Sequence, residues 1–127
     1  MYSVLKILSE NTSKDFLDEI GNQMNSLVAD VYEGIRPKGD GFACKISKSD
    51  LWFEQVKEMS EFLTIFKNQI RTLKTNGYEV SIDLAIDPDE FKSQNYGLFL
   101  FHNSAFLQLL ANTGVEYEMS IYKGENW

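Results

Sequence analysis

The sequence has few of the residues that build disulfides and metal centres. It contains one cysteine, Cys44, so no disulfide can form within the chain. It contains one histidine, His102, so no second histidine is available to complete a transition-metal site. These two shortages exclude disulfide-stabilised secreted domains and the common histidine-based metalloenzymes.

Long apolar runs are also missing. No stretch approaches the roughly 20 apolar residues that a membrane-spanning helix needs. The first residues have neither a basic region before their short apolar stretch nor a small-residue cleavage site, so they do not follow the signal-peptide pattern. We therefore expect a cytoplasmic protein that does not enter a membrane.

The bulk composition is that of a folded protein. The chain has 127 residues, of which 43% are hydrophobic and 13% aromatic, and this favours one domain with its own core spanning residues 1–127. A pI near 4.6 argues against binding nucleic acid or anionic lipid, because both need a basic surface.

The negative charge is concentrated in the last part of the chain. From Tyr78 onward there are eight acidic residues and two basic ones, within a whole-chain net charge of −7. A surface with one sign of charge is suited to bind a partner of the opposite sign.

The first half of the sequence predicts strands around one short helix. Tyr2–Leu8 is β-rich, and apolar residues at helical spacing predict a helix over Ser13–Met24. Leu27–Ile35 and Phe42–Ser47 flank a proline- and glycine-containing turn, which predicts a hairpin.

The second half begins with the longest helical pattern, Asp50–Thr75, whose single apolar stripe favours a helix packed on a sheet over a coiled coil. Tyr78–Asp87 alternates apolar and polar residues and predicts a half-buried strand. A strand at Gly97–His102, a short helix beginning near Ser104 and a last strand at Val115–Tyr122 complete the prediction.

The predicted order is β-α-β-β-α-β-β-α-β. It favours an α+β fold with a single, mostly antiparallel sheet, the helices packed on one face in ferredoxin-like layering. Each helix has only one apolar stripe, so we expect the second face of the sheet to be uncovered.

Alternation predicts that the late carboxylates lie on this uncovered face. Glu79 and Asp83 would lie there with Glu116 and Glu118 from the last strand. Carboxylates on a rigid sheet can pair with Lys and Arg of a basic protein, and Tyr122 is a nearby aromatic anchor. The predicted partner-binding residues are Glu79, Asp83, Asp87, Asp89, Glu90, Glu116, Glu118 and Tyr122.

Three patterns could have a catalytic or metal-binding role, but each is better explained as a structural feature of the chain. Cys44 and His102 could form a nucleophile–base pair, but Cys44 lies among apolar residues of a strand. Asp87-Pro88-Asp89-Glu90 is similar to the start of a calcium loop but has Lys92 where the glycine belongs. Asp83 with Glu116 or Glu118 could form a carboxylate pair, although an open sheet face does not supply an apolar cleft. We expect no enzyme activity, metal or cofactor.

Much of the chain resembles a family of small bacterial α/β domains of unknown function. The similarity is carried by Tyr78–Ile86, by Phe106–Tyr122 and by Gly34-Ile35-Arg36-Pro37 with Trp52. Proteins near this family occur as immunity partners in bacterial toxin systems, including contact-dependent growth inhibition. The resemblance implies an immunity protein. Together with the acidic face, it favours one that neutralises a basic toxin, such as a nuclease, by covering its active surface.

A second hypothesis is a regulatory domain that senses a small molecule. The ligand would bind between the sheet and the Asp50–Thr75 helix, in a pocket lined by aromatic side chains. Those side chains are Trp52, Phe62, Phe66, Phe99 and Phe101.

Overall fold

The computed structural model describes residues 1–9, 19, 22, 31–36, 39–87 and 102–121. Within them lie five strands and three helices. The strands are β1 (Tyr2–Ser9), β2 (Val31–Arg36), β3 (Gly39–Ser47), β4 (Glu79–Ile86) and β5 (Glu116–Ile121). The helices are α1 (Trp52–Ile65), α2 (Lys67–Thr75) and α3 (Ser104–Thr113).

The described strands form one mixed sheet in the order β2-β3-β1-β4-β5. The pairs β2–β3, β3–β1 and β1–β4 are antiparallel, whereas β4–β5 is parallel. The predicted α+β class and single sheet are confirmed, but the parallel pair was not predicted. It arises because α3 lies between β4 and β5 in the chain, and parallel neighbours need such a crossover connection.

All three described helices bury their apolar stripes against the same face of the sheet. The sheet contributes Leu5 and Ile7 of β1 and their register partners Ile82 and Val80 of β4. The helices contribute Val56, Met59, Phe62, Leu63, Ile70, Leu73, Phe106 and Leu110.

The long helix predicted over Asp50–Thr75 is two helices. At Phe66 the backbone leaves helical geometry, with φ −100° and ψ 17°, so α1 ends there and α2 begins at the next residue. Phe66 is fully buried and its ring packs 4.7 Å from that of Phe62. The predicted apolar stripe is correct on both sides of this break, but apolar spacing alone does not show that the helix is interrupted at Phe66.

The second face of the sheet is partly covered, which corrects the expected open face. Tyr2, Val4, Ala43 and Ala85 are buried there as a small cluster of their own. Ala85 was predicted to face solvent because it alternates with core residues, yet only 2% of it is exposed. Alternation identifies the face of a residue but not whether other residues cover that face.

Several predictions fall wholly or partly outside the described residues. The strand at Gly97–His102 lies there except for His102, and of the helix at Ser13–Met24 only positions 19 and 22 are described, both helical. The hairpin is confirmed by the β2–β3 pair, with β3 beginning earlier, at Gly39. No helix among the described residues is long and apolar enough to cross a membrane.

Candidate functional site

The register of the sheet places four predicted carboxylates on one face. Glu118 is paired with Asp83 between β5 and β4, and Glu116 is paired with Ser81. Glu79 lies two residues before Ser81 on β4, so its side chain points the same way. This is the face opposite the helices, as the alternation predicted.

Asp83 is the centre of a polar network on this face. Its Oδ2 accepts a hydrogen bond from Lys6 Nζ at 3.1 Å, and its Oδ1 accepts one from Ser120 Oγ at 2.8 Å. Lys6 Nζ also lies 3.8 Å from Glu118 Oε1. One lysine of β1 thus joins carboxylates of β4 and β5.

Exposure separates the four carboxylates into two kinds. Asp83 is only 8% exposed, whereas Glu79, Glu116 and Glu118 are exposed. Asp83 was predicted to contact a partner; it is nearly buried, and each of its two carboxylate oxygens accepts a hydrogen bond within the protein. We call the exposed set Glu79, Glu116 and Glu118 the acidic corner.

The acidic corner concentrates charge in a small area. Residues two apart on a strand are roughly 7 Å apart, and diagonal neighbours on paired strands are about 7–8 Å apart. Glu116 is therefore close to both Glu118 and Glu79. The mutual repulsion of these carboxylates would be relieved by a bound cationic group.

The other predicted contact residues extend this corner less clearly. Asp87 follows β4 and is half-buried. Asp89, Glu90 and Tyr122 lie outside the described residues. Lys6 and Ser120 were not predicted to belong to this site, because alternation does not show which strands are neighbours. The one available signal is that Lys6 interrupts the apolar β1.

A second group of polar and aromatic side chains surrounds His102 on the helix side. His102 Nε2 is 2.9 Å from the Tyr117 hydroxyl oxygen. The His102 ring lies edge-on to Trp52 at 5.1 Å and stacks on Phe106 at 5.7 Å. Burial lowers the pKa of His102, and burial together with the negative charge of Asp83 raises the pKa of Tyr117. The neutral forms of both side chains are therefore favoured, as in a packed structural cluster.

Three of the aromatic residues proposed to line a ligand pocket lie in or against the core. Phe62 and Phe66 belong to the core between the helices and the sheet, and Trp52 packs against it and contacts His102. Phe99 and Phe101 lie outside the described residues. The three described side chains are packed as core residues, and the small-molecule hypothesis stays a prediction.

Across residues 1–9, 39–87 and 102–121, with the shorter described segments, no three His, Cys, Asp or Glu side chains are grouped to hold an ion. The segment similar to a calcium loop lies outside the described residues after Asp87.

Comparisons with known proteins give no family assignment. No protein-family model matches the chain, and no characterised protein or solved structure matches it significantly.

Proposed function

We propose that this protein binds a basic protein through the acidic corner and neutralises it by covering its functional surface. The observation that carries the proposal is the exposure of Glu79, Glu116 and Glu118 on one face of two paired strands. Carboxylates fixed in this way attract a basic partner over distance and set its orientation on contact.

The network beneath the corner supports this role. Asp83 is held by Lys6 and Ser120, and Lys6 also reaches Glu118. Side chains that are held before binding lose less conformational entropy when the partner arrives. Of the corner residues, Glu118 is the one that this network reaches, through Lys6.

The more specific form of the proposal is an immunity protein for a toxin. It rests on the resemblance to domains found in bacterial toxin systems and on the acidic charge. A nuclease is a suitable target class because it presents a basic surface to phosphates, and closely spaced carboxylates can occupy that surface. Neutralisation by occlusion requires affinity and coverage but no catalytic group.

A comparison of charge variants tests the proposal. Tagged wild-type protein, E116K/E118K and E58K/E61K are used to capture partners from a lysate of the source organism at low and high salt. Both variants change the net charge equally, but Glu58 and Glu61 lie on α1, away from the corner. Thermal unfolding first verifies that each variant is folded.

We expect wild type and E58K/E61K to retain one stoichiometric basic protein that E116K/E118K loses. Expression of that partner alone should arrest growth of a host cell, and co-expression of this protein should restore growth. Equal loss in both charge variants, or a partner that is harmless when expressed alone, would contradict the proposal.

A further inference from the structure

β5 is the last strand in the order of the sheet and has exposed side chains on both faces. Among the described strands it pairs with β4 alone. Met119 is 45% exposed and Ile121 is 61% exposed, although their register partners Leu84 and Ile86 are buried. The cover of the helix-side face therefore extends over Tyr117 of β5 but not over Met119 and Ile121.

The two faces of β5 differ in chemistry. Glu116 and Glu118 point to the face that carries the acidic corner, and Met119 and Ile121 point to the helix side. A strand added beside β5 would have its own side chains alternate between the same two faces. One of its faces would meet carboxylates and the other would meet apolar groups.

We infer that β5 takes up an extended segment of a basic partner, in which Lys or Arg alternates with apolar residues, as an added strand. The inference rests on the proposed function and specifies where the partner docks. Main-chain hydrogen bonds supply affinity in this mode of binding, and the alternating side chains supply specificity. Basic residues would pair with Glu116 and Glu118, and apolar residues would cover Met119 and Ile121.

Charge disfavours a second copy of this chain at the same edge. Antiparallel pairing of two β5 strands about Tyr117 or Glu118 would place glutamates directly opposite each other, and like charges in such pairs are destabilising. Each copy also carries a net charge of −7. Charge complementarity therefore favours a basic occupant.

Synthetic peptides provide the test. One peptide of about seven residues, close to the usual length of a strand, alternates lysine and valine. A control peptide has the same composition with the lysines and valines in separate blocks. Binding is measured by fluorescence anisotropy, and hydrogen exchange is followed over Glu116–Ile121.

We expect the alternating peptide to bind at least about tenfold more tightly than the block peptide and to slow exchange over β5. The M119S/I121S variant should bind the alternating peptide at least about tenfold more weakly than wild type. The L51S/F53S variant, which alters another exposed apolar pair, should bind it as tightly as wild type. Equal binding of both peptides would overturn the inference. It would also be overturned if the protein formed a dimer without peptide and its β5 amides were then protected from exchange.

The same variants separate this inference from the proposed function. A lysate partner that is lost with E116K/E118K but retained by M119S/I121S would overturn strand addition and leave the acidic corner as the binding surface. A partner that is retained by E116K/E118K would overturn both.

Discussion

Lys6 and Asp83 form an ion pair across β1 and β4, with Nζ and Oδ2 at 3.1 Å, although they are 77 positions apart in the sequence. Asp83 is nearly buried, so it needs this partner to offset the loss of water. The pair links β1 to β4 and neutralises Asp83. The charge that stays exposed on this face is that of Glu79, Glu116 and Glu118.

Replacement of Lys6 by methionine is expected to lower the free energy of unfolding by about 1–3 kcal/mol, because Ser120 would be the one partner left to Asp83 among the described residues. The pair is partly exposed, so a larger loss is not expected. Urea denaturation measures the change. K57M removes an exposed lysine of α1 as the control, and equal stability of K6M and K57M would contradict this account.

His102 is expected to make stability depend on pH. In the folded protein its pKa is lowered by burial below the ordinary value of 6.5. The unfolded chain therefore takes up the proton first as the pH falls, and stability decreases from about pH 6.5 down to the folded pKa. This contribution is fully present above pH 6.5.

The single histidine makes the measurement direct. Its imidazole proton resonance should titrate below pH 6.5 in the native protein and near 6.5 in concentrated urea. The H102F variant keeps a ring beside Trp52 and Phe106. Between about pH 7.5 and about pH 5.5, which bracket the ordinary histidine pKa of about 6.5, it should lose less stability than wild type. A native midpoint at or above 6.5 would refute the assignment.

Much of the fold could be predicted from periodicity, because apolar spacing reflects which side of an element is buried. The β4 pattern correctly placed Val80 and Ile82 in the core. The break at Phe66 and the cover over Ala85 could not be predicted, because they depend on how separate elements meet.

The candidate site was predictable only in part for the same reason. Alternation placed Glu116 and Glu118 on one face, and the register agrees. The burial of Asp83 and its contact with Lys6 depend on β1 lying beside β4, a long-range pairing that no local pattern encodes.

Phe66 is expected to be one of the most sensitive positions in the chain. F66A leaves a cavity at the junction of α1 and α2 and should cost about 3–5 kcal/mol of unfolding free energy. F53A removes the same group from a side chain that is 66% exposed and should cost less than about 1 kcal/mol. Similar losses in urea denaturation would show that the junction is not packed as described.

Gly114 ends α3 with a left-handed backbone, φ 69°, and its carbonyl accepts a hydrogen bond from Lys74 Nζ at 2.5 Å. G114A should cost about 1–2 kcal/mol from backbone strain. An added Cβ would also lie 3.1 Å from Lys74 Cε, so the lysine must move. G77A has a similar φ of 83° with open space around it, and should cost less in thermal unfolding than G114A.

Glu79 and Glu118 distinguish docking on the open face from docking along β5. Both are exposed carboxylates, but Glu79 lies on β4 and Glu118 on β5. If the alternating lysine–valine peptide adds to β5, E118Q should weaken its binding several-fold more than E79Q, because direct cross-strand pairs interact most strongly. Raising the salt from about 0.1 M to about 1 M shortens the screening length from roughly 10 Å to 3 Å and should weaken wild-type binding. Higher salt should also reduce the difference in binding between E79Q and E118Q. Equal effects of the two substitutions at low salt would instead indicate a peptide that lies across the face.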